Sequence, residues 1–209
     1  VGNSLIPGDN ETLAWLRSQG IDYQFITNNT TLSRSALVAK LQHLGLEVSE
    51  DRLLSANFAG VLQLQKLGLK RCRLLLRPDA QADYPPNVLK QPEAIVIGDI
   101  GNAWDYDLLN ELMNQLLEGA ELIALHKGRY FQTAEGLQLD SGAFVAALEH
   151  ATGKKAHVVG KPTQTFFEMG SSLLKAKPNE LVMVGDDLIH DIQGAQHVGY
   201  HAVLVQTGK

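Results

Sequence analysis

Three carboxylates fall within six residues in the stretch Asp186-Asp187-Leu-Ile-His-Asp191, directly after an apolar run, 181–184, that stops at Gly185. Carboxylate oxygens clustered in this way suit a hard cation. The same acids suit a second role, capping the helix that follows and offsetting its dipole, and the segment alone leaves both open. The run 181–184 is short, apolar and half β-branched, which predicts a buried strand, and 188–198 keeps apolar residues at helical spacing. The acids are therefore expected at the carboxyl end of a strand, the edge at which open α/β sheets bind ligands.

Two further segments repeat the arrangement. In Tyr23-Gln-Phe-Ile-Thr27-Asn28-Asn29-Thr30 an apolar strand ends in small polar groups ahead of a helical pattern over 33–44. Thr27, Asn28 and Asn29 bring a hydroxyl, amides and backbone N–H groups that can hold a phosphoryl oxygen, or else serve ordinary turn and capping chemistry. In Ala156-His-Val-Val-Gly160-Lys161-Pro162 a short strand sets Lys161 between a glycine, which lets backbone approach a ligand, and a proline suited to opening a helix. Lys161 is either a solvated surface charge or, beside an acidic cation site, a group that neutralises a phosphate and the nucleophile attacking it. Three polar clusters at strand ends in one chain favour the ligand-binding reading.

The elements that must hold these groups alternate in type. Helical patterns at 11–19, 33–44 and 56–66 alternate with strand-like runs at 23–26 and 53–55, which implies a parallel sheet with right-handed crossovers. The alternation restarts with strands at 73–76, 94–97 and 122–125 and helices at 108–117 and 144–152. This second set is expected to form its own small α/β domain, inserted near Gly68 and leaving near Gly153, able to close over the polar edge and exclude water. His126 and Lys127, with Arg129 and Tyr130 beside them, follow its strand 122–125 and are candidate substrate contacts; a lone histidine there is as readily structural. Pro85-Pro86 and Pro92 mark an irregular surface stretch.

The order Ile-Thr-Asn-Asn, then Gly-Lys-Pro, then Gly-Asp-Asp followed after three residues by Asp resembles the haloacid dehalogenase (HAD) superfamily of phosphatases. The long interval between the first two motifs, with Ala124-Leu-His-Lys-Gly-Arg-Tyr-Phe131 and Asp140-Ser-Gly-Ala-Phe144, is similar to the C2-type cap of NagD-like members. Within them it resembles the group of the phospholysine phosphohistidine inorganic pyrophosphate phosphatase and its HDHD-type relatives, over essentially the whole chain. The resemblance implies an α/β fold with a Rossmann-like parallel-sheet core, 1–68 and 156–209, and an inserted α/β cap, 69–155. It implies a magnesium-dependent phosphatase that hydrolyses a small phosphorylated metabolite through an aspartyl-phosphate, with two copies pairing through their caps. Carried over residue by residue, Thr27 binds the transferring phosphoryl group, with Asn28 and Asn29 in the same turn. Lys161 neutralises the phosphate and orients the nucleophile, while Asp186, with Asp187 and Asp191, forms the magnesium site. Magnesium agrees with this set, since it takes one or two protein carboxylates and keeps several waters.

One departure stands out. The family's first motif, Asp-x-Asp at the end of the first strand, supplies the nucleophile and the acid/base, and these residues do not contain it. The opening Val1-Gly-Asn-Ser-Leu-Ile-Pro-Gly8 resembles the segment directly behind that motif, so the nucleophile is expected ahead of Val1. The alternative is a noncatalytic relative that binds a phosphate ligand or a partner. Asp105-Tyr-Asp107 has the right spacing, but a helical pattern begins near Leu108, which predicts a helix start instead. Dehalogenation on the same scaffold fits less well, because the acids and Lys161 suit a magnesium-bound dianion.

Composition narrows the class. With 44% hydrophobic and 20% charged residues, no apolar run approaches the roughly 20 residues that span a membrane, so no membrane partner is expected. A net charge of −5 argues against nonspecific nucleic-acid binding. The single Cys72 excludes an intramolecular disulfide and fits a reducing, cytoplasmic location. His190 and His197 lack cysteine neighbours and ligand spacing, and are read as surface or packing residues.

Overall fold

The computed structural model describes residues 5–206; residues 1–4, which the sequence reading sets just behind a nucleophile motif, lie outside the described residues. In chain order the elements begin with helix α1 (Asp9–Ser18), strand β1 (Phe25–Thr27), α2 (Arg34–His43), β2 (Leu53–Ser55), α3 (Ala56–Leu67), β3 (Cys72–Leu75) and the short α4 (Pro78–Gln81). Next come β4 (Ala94–Ile97), α5 (Tyr106–Leu117), β5 (Glu121–Ala124), β6 (Tyr130–Thr133), β7 (Gly136–Leu139) and α6 (Ser141–Thr152). The remaining elements are β8 (His157–Val158), α7 (Gln164–Leu174), β9 (Val182–Gly185), α8 (Gly194–His197) and β10 (His201–Leu204). They form two compact units. The first takes the chain up to Thr27, Arg34–Leu54 and the chain from Lys161; the second takes Asn28–Ser33 and Ser55–Gly160.

The second unit is built on a parallel sheet of order β3-β4-β5-β8, with Cys72 opposite Ala94 and Ala94 opposite Glu121. A parallel sheet covered on both faces needs near-continuous apolar strands, and Ala94-Ile-Val-Ile97 meets that need by being buried throughout. One face packs Ile95, Ile97 and Leu122 against Leu112 and Leu116 of α5 and Val145 and Leu148 of α6. Each fully buried leucine or isoleucine there contributes about 1.5–3 kcal/mol. Helix α5 starts where Asp105 accepts a hydrogen bond from the Leu108 N–H at 2.7 Å, so Asp105-Tyr-Asp107 is a helix start, as its setting predicts. The antiparallel hairpin β6–β7 follows residues the sequence reading left unassigned; Tyr130 lies opposite Leu139.

In the first unit β1 pairs with β2, and β9 runs parallel to β10 with Val182 opposite His201. Phe167 of α7, Met183 of β9 and Ala195 of α8 form its buried centre, with Ile26, Val198 and Tyr200 packed around them. The helical spacing over 188–198 resolves into a π-helical turn, Leu188–Gln193, and then α8. The cause is local: the Asp187 carbonyl accepts from both Asp191 N, at 2.9 Å, and Ile192 N, at 3.2 Å, which widens the turn. No helix among the described residues is long and apolar enough to cross a membrane.

Candidate active site

In the first unit, β9 delivers its acids at its carboxyl end. Asp187 caps the turn that follows: its Oδ1 accepts from Ile189 N at 3.0 Å and His190 N at 2.9 Å, and its Oδ2 meets His190 Nδ1 at 3.1 Å. Asp191 folds back toward the strand end. Its Oδ1 accepts from Lys161 Nζ at 2.5 Å and its Oδ2 from Asp187 N at 3.2 Å. The two side chains are 11% and 6% exposed, so this ion pair is largely removed from water.

Two glycines make that approach feasible. A Cβ on Gly185 would stand 2.6 Å from Cβ and Cγ of Asp191, so a larger residue displaces the carboxylate. A Cβ on Gly194 would meet Phe167 at 2.7 Å and Pro162 at 2.9 Å; its absence lets α8 lie against Pro162 and seats Lys161 beside Asp191. The Lys161–Pro162 peptide bond is cis. Thr27 is the last residue of β1 in this unit and is half-buried. Asp186 follows Gly185 directly. Among the described residues no group of three or more His, Cys, Asp and Glu is arranged to hold a metal ion by itself.

The other nominated residues belong to the second unit. Asn29 shapes its turn, since its Oδ1 accepts from Thr31 N at 3.2 Å and Leu32 N at 3.0 Å, while its carbonyl accepts from Asn57 N at 3.2 Å. Asn28 comes close to Gly160: its Oδ1 lies 2.9 Å from where a Cβ on Gly160 would stand. His126 Nδ1 accepts from Gly128 N at 3.0 Å, which leaves the proton of the neutral ring on Nε2. That nitrogen faces both Ser141 Oγ, at 3.4 Å, and Asp140 Oδ1, at 3.5 Å. Serine, histidine and aspartate therefore meet here without forming a nucleophilic triad, which needs the two partners on opposite ring nitrogens.

Lys127 Nζ is paired with Glu149 Oε2 at 2.7 Å, and Glu149 Oε1 accepts from Ala156 N at 3.0 Å. Burial pushes the Glu149 carboxyl up, but the Ala156 N–H and Lys127 outweigh it and hold the group below the usual carboxylate range. His126 and Lys127 thus lock the turn after β5. Sequence reasoning missed Asp140 and Glu149 as their partners, and missed Gly185 as a close-approach position; the glycine between a strand and an acid cluster was the available signal. Burial pushes the Cys72 thiol up to about 11, which makes it inert at neutral pH.

Comparison with known proteins extends this geometry. Family models match residues 1–83, as haloacid dehalogenase-like hydrolase, and residues 158–209, as HAD-hydrolase-like. The haloacid dehalogenase-like hydrolase domain-containing protein 2 of Mus musculus is 39% identical over 211 residues, taking in 100% of this chain and 80% of that protein. The phospholysine phosphohistidine inorganic pyrophosphate phosphatase of Homo sapiens is 37% identical over 210 residues, with 100% and 77% covered. Among solved structures, the p-nitrophenyl phosphatase from Archaeoglobus fulgidus matches with a TM-score of 0.87 at 26% identity, over 98% of this chain and 80% of that one. NagD from E. coli K-12 shares the fold, with a TM-score of 0.87 at 21% identity over 100% and 84%. Fold and relatives define the class: α/β proteins with a parallel sheet and a cap domain. The chain belongs to the haloacid dehalogenase-like hydrolases.

Proposed function

We propose that the protein is a magnesium-dependent phosphatase that hydrolyses a small phosphorylated metabolite through an aspartyl-phosphate. The observation that carries this reading is the buried Lys161–Asp191 pair at the carboxyl end of β9, next to Asp186. Taking two charges out of water can cost as much as their attraction returns, so a buried pair beside further acids at a strand end favours a site over a structural brace. The relatives named for phosphatase activity support it further.

On this reading Lys161 neutralises the phosphoryl oxygens and Asp191 fixes its ammonium in one place. Thr27, with Asn28, holds the transferring group. Hard carboxylate oxygens fit magnesium, and on this reading Asp186, in the turn directly after Gly185, is its ligand, with Asp191 turned to Lys161 and Asp187 to the helix start. When bound, the metal offsets charge on the phosphoryl oxygens. An aspartate outside these 209 residues attacks phosphorus in line, a second aspartate protonates the departing oxygen, and water cleaves the acyl phosphate. Val182 and Val184 give β9 an exposed apolar face of the kind a neighbouring strand bearing that aspartate would cover. Residues 69–155 act as the cap, within which His126 and Lys127 fix the turn after β5, and two copies pair through it.

Release of phosphate from p-nitrophenyl phosphate by the native-length protein tests the assignment. Turnover should require magnesium, stop with a chelator, and fall about a thousandfold or more in Asp186→Ala. Unchanged turnover in that variant would overturn the metal role, and phosphate binding without any turnover would support the noncatalytic alternative.

A further inference from the structure

The carboxyl ends of β3 and β4, within the second unit, open into a cavity of about 340 Å³ that the phosphoryl chemistry does not use. That is near the lower end of small-ligand sites, large enough for one ring system. On one side stand Arg77 and Asp99, each two residues beyond its strand, with Arg77 Nη2 3.1 Å from Asp99 Oδ2. The turn holds them in place: Gly101 N donates to Asp99 Oδ1 at 2.6 Å, and Gly101, at φ +60, passes under the guanidinium, where a Cβ would stand 3.0 Å from Arg77 Nη2. On the other side Trp104 and Phe144 stack, ring centroids 4.3 Å apart and planes 8° from parallel, and the exposed Phe131 of the β6–β7 hairpin adds a third ring.

Charge and shape together select the ligand. Arg77 and Asp99 are partly exposed, and such a pair contributes little to folding, so its second edge is available to a guest. An anion would meet the Asp99 and Asp140 carboxylates, a cation would meet Arg77, and a purely apolar ring would strip water from Arg77 and Asp99 without replacing its hydrogen bonds. A neutral ring with a donor beside an acceptor satisfies both at once, and the aromatic wall favours a planar one.

We propose that this cavity binds a planar nitrogen heterocycle with an N–H donor next to an acceptor, the pattern of a nucleobase edge, lying against the Trp104–Phe144 wall. Asp99 accepts from the heterocycle and Arg77 donates to it. Binding of the ring requires no phosphate and does not depend on the phosphatase reading.

The chain's own fluorescence tests this. Only two tryptophans are present, and Trp15→Phe removes the exposed one on α1, leaving Trp104 as reporter. Uridine or adenosine, titrated to about 10 mM, should change Trp104 emission saturably, while benzyl alcohol, whose ring edge has no donor beside an acceptor, should not. Arg77→Ala and Asp99→Ala should each weaken binding about tenfold, and Arg77→Lys, which keeps the charge but loses the fork, should weaken it too. No saturable change with either nucleoside, equal binding of benzyl alcohol, or unaltered affinity in all three variants would overturn the proposal.

Discussion

Two tight turns each hold a lysine, the one at Lys161, beside the acids that end β9, and the one at Lys127 after β5, and they are held differently. At β9 the Lys161–Asp191 pair is 11% and 6% exposed, and it is made feasible by two glycines with no room for a Cβ. After β5, the His126–Asp140 contact is 16% and 19% exposed and the Lys127–Glu149 pair 37% and 10% exposed, so both keep more contact with water than the first pair. The first arrangement is costly in isolation and makes sense where an anionic group comes to share the lysine. The second is inexpensive and serves to fix a backbone path ahead of the hairpin. Burial of a charge, more than its presence, separates a working site from a brace.

Removing one partner of the buried pair should break that contrast most visibly. Lys161→Ala should lower turnover about a thousandfold or more and, by leaving Asp191 uncompensated, cost about 3–5 kcal/mol in urea unfolding. Lys161→Ala with Asp191→Ala should regain much of the stability and none of the turnover; turnover that survives in the double variant would make the pair a plain structural element. Next in size, Gly185→Ala should destabilise by about 1–3 kcal/mol as its Cβ displaces the Asp191 side chain, with a matching loss of activity. In the second turn, Glu149→Ala should cost only about 1–2 kcal/mol, from the Ala156 N–H and Lys127 it leaves behind, and change turnover less than tenfold.

The smallest effect concerns acid. Glu149 is held below its ordinary value, so its contribution is present above the unfolded glutamate value of about 4.3 and is lost as pH falls through the lower folded value. Glu149→Gln should flatten stability against pH in that window alone, measured by melting temperature from pH 5 down to pH 3. An unchanged slope would mean that Glu149 is not held by Ala156 and Lys127 in solution.

What the sequence revealed follows the range of the interactions. The acids, Lys161 and Thr27 each sit in a contiguous strand-plus-turn motif, so their elements were readable to within about two residues. Strands Leu53–Ser55 and Ala94–Ile97 were readable because burial on both faces demands unbroken apolar runs. The β6–β7 hairpin was not, because Tyr130, Phe131, Leu137 and Leu139 are exposed and show no alternation between core and solvent. Strand His201–Leu204 did not stand out because it is mostly exposed, so no burial on both faces marks it, and the π-helical turn depends on one carbonyl shared by two amides, which no periodicity displays. The partners of His126 and Lys127 lie 14 and 22 residues away by way of the hairpin and α6, and the Arg77–Asp99–Trp104–Phe144 cavity draws on four separate segments, so only the folded chain assembles them.

The most direct test of the central claim is calorimetric titration of inorganic phosphate, with magnesium present, into the native-length protein and its Lys161→Ala variant. The expected result is phosphate binding by the first that is weakened at least about tenfold in the second. Equal affinity in the two would contradict the assignment of Lys161 and its buried aspartate to the phosphoryl site.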